Sequence, residues 1–195
     1  MRLPVMTAAA FALLAACAPG GAAGKGESAP AKAAPAGPVD PTGFTHPAGA
    51  MLFGYYMPTA EVKTGNWQLT NFHFGDEEGF KDWEAGRRSP TYAPIMLEFD
   101  DVTSPKATTE LGGEYHTVSE RILPDAYSIS ADGKVDFVDK NSKLGRVTFH
   151  GRFDQAALQA ATRENADTSG TVLTGTLKVG DKTFENVSFT WFGGD

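Results

Sequence analysis

The sequence predicts an all-β domain: an antiparallel β-sandwich or small β-barrel of about eight strands, with one or two short helices. Two patterns carry this expectation. Apolar and polar residues alternate with period two along most segments after Ala50, as in an antiparallel sheet with one packed and one solvated face. Gly- and Asp-containing turns separate those segments, and only two stretches combine helix-forming composition with a capping residue.

Taken in order, Met51 to Met57 is the first strand, with aromatic side chains on both of its faces. Asn66 to Phe74 is the second and carries Trp67, Leu69, Phe72 and Phe74. Asp76 can then cap a short helix holding Phe80 and Trp83. In Tyr92 to Asp101, Ile95, Leu97 and Phe99 face one way, and Met96, Glu98 and Asp100 the other. Tyr115 to Leu123 reads as one strand. Ala126 to Ser130 and Lys134 to Val138 flank Ala131-Asp132-Gly133, a hairpin turn. In Leu144 to Asp154, Val147, Phe149, Gly151 and Phe153 share the inner face, opposite Thr148, His150 and Arg152. Asp154 caps an Ala-rich helix that runs through Ala161. The last strands, Thr171 to Val179 and Lys182 to Phe192, turn at Gly180-Asp181, and the final one points Val187, Phe189 and Trp191 inward.

Ahead of this domain the composition changes. Arg2 precedes an apolar run from Val5 to Leu14, broken only by Thr7, and small residues Ala15 and Ala16 precede Cys17. That run is too short to span a bilayer, which takes about 20 residues, and the pattern is that of a secretory signal over residues 1–16. Leu14-Ala15-Ala16-Cys17 resembles the lipobox of bacterial lipoproteins. The resemblance covers the signal alone. It implies cleavage before Cys17, a diacylglyceryl group on its sulfur and acylation of the new N-terminus. It also implies, through Ala18, sorting to the outer membrane. Multiple acyl chains anchor stably where a single one binds marginally. From Ala18 to about Pro47 the chain is dominated by Ala, Pro and Gly. With so little apolar surface to bury, residues 17–47 are expected to form a disordered tether ahead of a folded domain at 48–195.

Charge narrows the partners. The chain carries −7 formally, and nucleic-acid binding rests on Lys and Arg neutralising phosphates, so an acidic chain without a basic block excludes it. The expected membrane contact is therefore the lipid anchor. Cys17 is the one cysteine, so no disulfide closes within the chain and stability must come from a hydrophobic core.

No cofactor is expected, because no Gly-rich phosphate loop or Gly-x-Ser-x-Gly elbow is present. His73, His116 and His150 are too far apart for a metal signature, although three strands could bring them together. Glu98 and Asp100 project from one strand face with their backbones about 6.6 Å apart, a spacing within the range for the paired carboxylates of inverting glycosidases. The most unusual feature is the aromatic cluster Phe53, Tyr55, Tyr56, Trp67, Phe72 and Phe74, since strands with aromatics on both faces leave one aromatic face to cover. Core packing accounts for such a cluster first; the competing reading is a binding surface, for which Tyr55, Tyr56, Phe72 and Phe74 are the expected ligand-binding set. The expected function is a non-enzymatic envelope lipoprotein that binds a partner protein or an apolar ligand. Its rival is a periplasmic glycan hydrolase working through Glu98 and Asp100.

Overall fold

The computed structural model describes residues 39–163 and 166–194. The expected signal, Cys17 and most of the expected tether lie outside the described residues. Along the chain run β1 (Phe44–Thr45), β2 (Gly54–Pro58), β3 (Lys63–Thr64), β4 (Trp67–Phe74), α1 (Glu77–Glu84), β5 (Ile95–Asp101), β6 (Lys106–Thr108), β7 (Glu114–His116), β8 (Ser119–Ile122), β9 (Ala126–Ile129), β10 (Lys134–Ser142), β11 (Gly145–Phe153), α2 (Gln155–Ala161), β12 (Thr171–Val179) and β13 (Lys182–Phe192). The fold is all-β. One sheet takes the order β1-β9-β10-β11-β12-β13-β2-β4-β5-β8, with β3 attached to β4, and it curls into a half-barrel. A separate hairpin pairs β6 with β7.

The strand count exceeds the expected eight because β1, β3, β6 and β7 are two or three residues long. That is too short for alternation to register in the sequence. The expected single strand over Tyr115 to Leu123 is two: β7 belongs to the small hairpin, and β8 pairs with β5. Both helices form where the caps place them, since Asp76 accepts from the Gly79 amide at 2.8 Å and Asp154 from that of Ala157 at 2.9 Å.

The inner face is filled with rings. Phe72 lies 4.8 to 6.1 Å, centroid to centroid, from Phe74, Phe137, Phe149 and Phe189. These come from β4, β10, β11 and β13, so the packing crosses the interior from one wall to the other. Phe149 fits because Gly151 and Gly175 face each other on β11 and β12. A Cβ on either would come 2.5 Å from its ring. On β13 the register shifts opposite Gly175–Leu177, and Asn186 takes a left-handed φ of 56° there, a conformation Asn tolerates. This bulge brings Phe184 onto the same side as Val187 and Phe189. Trp191 keeps the expected inward side but ends the strand half-buried, at the barrel's end.

The expected tether boundary is corrected at its C-terminal end. β1 pairs in parallel with β9, Phe44 to Tyr127 and Thr45 to Ser128. Phe44 packs edge-on against Tyr127 at 5.2 Å and Trp83 at 6.2 Å, with the Arg88 guanidinium 4.3 Å above it. His46 stacks on Phe80, its ring nitrogens 2.8 Å from Glu84 and 3.3 Å from Glu77. Upstream, Asp40 pairs with Arg146. Phe44, His46 and Asp40 together tie this Gly- and Pro-rich stretch to the domain, and β1 covers a sheet edge that would otherwise be open.

Candidate functional site

Strands β2 and β4 carry aromatic side chains on both faces, and their register assigns each ring to a side. Tyr55 pairs with His73, and Tyr56 with Phe72. Alternation then sends Tyr56, Phe72 and Phe74 into the core, where each is 0% exposed. The Tyr56 hydroxyl donates to the Leu52 carbonyl at 2.8 Å, and burial pushes its phenol pKa up. The expected binding set is therefore corrected for Tyr56, Phe72 and Phe74, which are enclosed core rings out of a ligand's reach. Tyr55 alone of the four reaches the outer face.

On that outer face Tyr55 has company. Its ring lies 4.9 Å from His73 and 6.4 Å from Phe192. Phe53 meets His73 edge-on at 6.4 Å, and Tyr92 does so at 5.6 Å. Phe53 is held in place through its backbone, because the Trp191 indole donates to its carbonyl at 3.0 Å. The next residue must be glycine: Gly54 has a φ of 142°, and a Cβ there would collide with the Trp191 indole nitrogen. The result is a surface of large apolar side chains, with Phe53 51%, Phe192 45%, Tyr92 41% and Met57 39% exposed. Large apolar side chains exposed side by side are the kind of surface that a further contact can cover. Beside it, at the same end of the barrel, opens a groove of about 400 Å³ lined by Ala50, Met51, Leu52, Phe53, Asp76 and Trp191.

His73 sits beneath the patch and is 4% exposed, although its position on the strand points it away from the core. Its Nε2 is 3.2 Å from the Tyr92 hydroxyl, while its Nδ1 is buried without a partner. The imidazole pKa is lowered below its ordinary value by burial, with Glu98 opposing and Arg121 reinforcing the shift. The Tyr92 phenol is raised, first by burial and then by the charge of Asp76.

The carboxylate pair lies further along the same outer face. Glu98 Oε1 is 3.5 Å from Arg121 Nε on β8. Asp100 is held above the usual carboxylate range by burial and by the charge of Glu98, with His116 opposing. A carboxyl raised in this way is one ingredient of acid–base catalysis. The other is a cleft, and neither carboxylate lines the groove at the barrel's end.

The three histidines serve separate places. His116 Nδ1 is 3.2 Å from the Ser104 carbonyl. His150 Nδ1 is 2.9 Å from Asp136, a carboxylate that also takes Lys134 Nζ at 2.7 Å and the Ser128 hydroxyl at 3.3 Å. Among the described residues no group of three or more His, Cys, Asp or Glu could hold a metal ion.

The Asp136–His150 pair was not visible in the sequence, because alternation places both on the solvated side. Asp136 is nonetheless 4% exposed, and its three donors satisfy the buried charge. His150 Nε2 faces Asp40 at 3.8 Å, so the pair also meets the arm that leads to β1. Tyr92, expected to open a strand, lies instead in the loop before β5, which begins at Ile95, and only the folded chain lays it over His73. Among the described residues no helix is long and apolar enough to cross a membrane. No protein-family model, no curated protein and no solved structure matches this chain.

Proposed function

We propose that this chain is a non-enzymatic, lipid-anchored envelope protein, carried on Cys17 to the outer membrane, whose aromatic outer face binds a partner protein. The observation that carries the reading is the contrast in occupancy. Aromatic rings fill the inside of the curled sheet, whereas Phe53, Tyr92 and Phe192 remain about half exposed outside it. Interfaces are enriched in aromatic and Met side chains at their centres, and Met57 adjoins these rings through β2. The anchor rests on the Leu14–Cys17 pattern. A Cys17→Ser variant is expected to take up no radiolabelled fatty acid.

A second reading has an observation of its own. The groove beside Met51, Leu52 and Trp191 is large enough for a small apolar ligand. The glycan-hydrolase reading draws less support, because Glu98 is engaged by Arg121 and stands on a sheet face with Asp100.

The test is site-specific photocrosslinking in cells. A photoreactive residue at Phe53 or Tyr92 is expected to capture one discrete partner, whereas one at exposed Thr183 on β13 captures none. Identical products from all three positions, or none from the first two, would contradict the reading.

A further inference from the structure

Building on that reading of the outer face, we infer that His73 gates it: protonation of the imidazole displaces Phe53 and Tyr92 from over the ring, so the face is assembled at neutral pH and lost in acid.

His73 is 4% exposed, with Phe53 and Tyr55 from the β2 segment and Tyr92 from the loop before β5 packed around it. Met96 is its cross-strand neighbour on β5. The charged groups that act on it are Glu98 on β5 and Arg121 on β8, and Asp76 acts on Tyr92. A neutral imidazole has one N–H and one bare nitrogen. It meets its surroundings through Nε2, 3.2 Å from the Tyr92 hydroxyl. Nδ1 faces no partner and no solvent, which a bare nitrogen bears at least cost.

The imidazolium must carry a proton on both nitrogens. The proton on Nδ1 then points at no acceptor, in a site that water does not reach. Glu98 favours the cation and Arg121 opposes it, and burial outweighs both, holding the pKa below its ordinary value. Relief comes from admitting water, and the covers differ in how easily they yield. Tyr55 and Met96 are held in paired strands of the sheet. Phe53 is 51% exposed and precedes its strand, with Trp191 tying its backbone carbonyl and not its ring, and Tyr92 is 41% exposed on a loop, joined to His73 by one hydrogen bond. These two move first, and they are also the exposed centre of the proposed binding face.

The experiment is an NMR titration of the full chain in detergent micelles from about pH 8 to about pH 5, following the imidazole of His73 and the rings of Phe53 and Tyr92. All three are expected to change with one shared midpoint, below that of exposed histidines. In His73→Phe and His73→Gln the Phe53 and Tyr92 rings should stay fixed over the same range, and either variant suffices if the other fails to fold. Rings that stay in place while His73 titrates would overturn the inference. So would rings that move in the variants, or an imidazole still neutral at the acid end. The titration needs no partner, so gating and partner binding succeed or fail separately.

Discussion

The two faces of β2 and β4 are built from the same residue types and have opposite fates. Tyr56, Phe72 and Phe74 point inward and are 0% exposed, while Tyr55 and Phe53 stand outside around His73. The inner rings meet rings from β10, β11 and β13, so each gains burial from several elements at once. The outer rings meet mainly one another and one loop. An aromatic side chain therefore says nothing about function until its side of the sheet is known. Inside, it supplies stability; outside, the same chemistry leaves surface for something else to cover.

This contrast can be broken by substitution. Phe72→Ala removes a ring at the centre of the core and should cost ~3–5 kcal/mol in urea unfolding, a large part of a typical domain's stability. A loss under about 1 kcal/mol would mean the inner rings are loosely packed. Next in size is the arm. Deleting residues 39–47 removes Phe44 from Trp83 and Tyr127 and uncovers the edge of β9. We expect about 2 kcal/mol, several degrees in thermal midpoint. An unchanged midpoint would place the arm with the outer rings, as surface rather than support.

Acid sharpens the comparison at the boundary between the faces. Burial holds the folded-state pKa of His73 below that of the unfolded chain, about 6.5. The unfolded state therefore binds the proton more readily. The stability that His73 contributes is complete above about pH 6.5 and is lost as pH falls from there through the lower folded-state value. Between about pH 7 and pH 5 the thermal midpoint of His73→Phe should fall less than that of the parent. Equal slopes would show that burial of this imidazole carries no such penalty. The smallest effect is expected at Glu98→Gln. Its partner Arg121 is about half exposed, and pairs of this kind are worth ~0–1 kcal/mol. Folding should survive this substitution, and any envelope phenotype should persist. A phenotype lost with folding intact would revive the hydrolase reading.

Much of this was legible in the sequence, and what was not has a physical pattern. Alternation in Ile95–Phe99 and in Val147–Phe153 assigned the inner face correctly, although Met96 and Thr148 on the opposite face are buried as well. Asp76 and Asp154 announced both helices through their capping bonds. The failures come where tertiary contact overrides local pattern. Phe44 becomes a strand residue only because β9 has an edge to cover. His73 and Asp136 sit on the face that alternation calls solvated, yet one is roofed by aromatic rings and the other is enclosed by Lys134, Ser128 and His150. Of the expected binding set, Tyr56, Phe72 and Phe74 lie on the inner side of the sheet and Tyr55 on the outer. Which face of an all-aromatic strand is the inner one depends on its neighbours in the sheet.

The outer rings are expected to be dispensable for folding and required for binding. The most direct measurement is the Phe53→Ala/Phe192→Ala double variant, compared with the parent for thermal midpoint and for photocrosslinking from position Tyr92. Both rings are about half exposed, so the midpoint should stay within a few degrees. Crosslinking to the partner should fall about tenfold, the change that a loss of 1.4 kcal/mol in affinity produces. A stable double variant that crosslinks as well as the parent would contradict the account, and so would a double variant whose fold collapses.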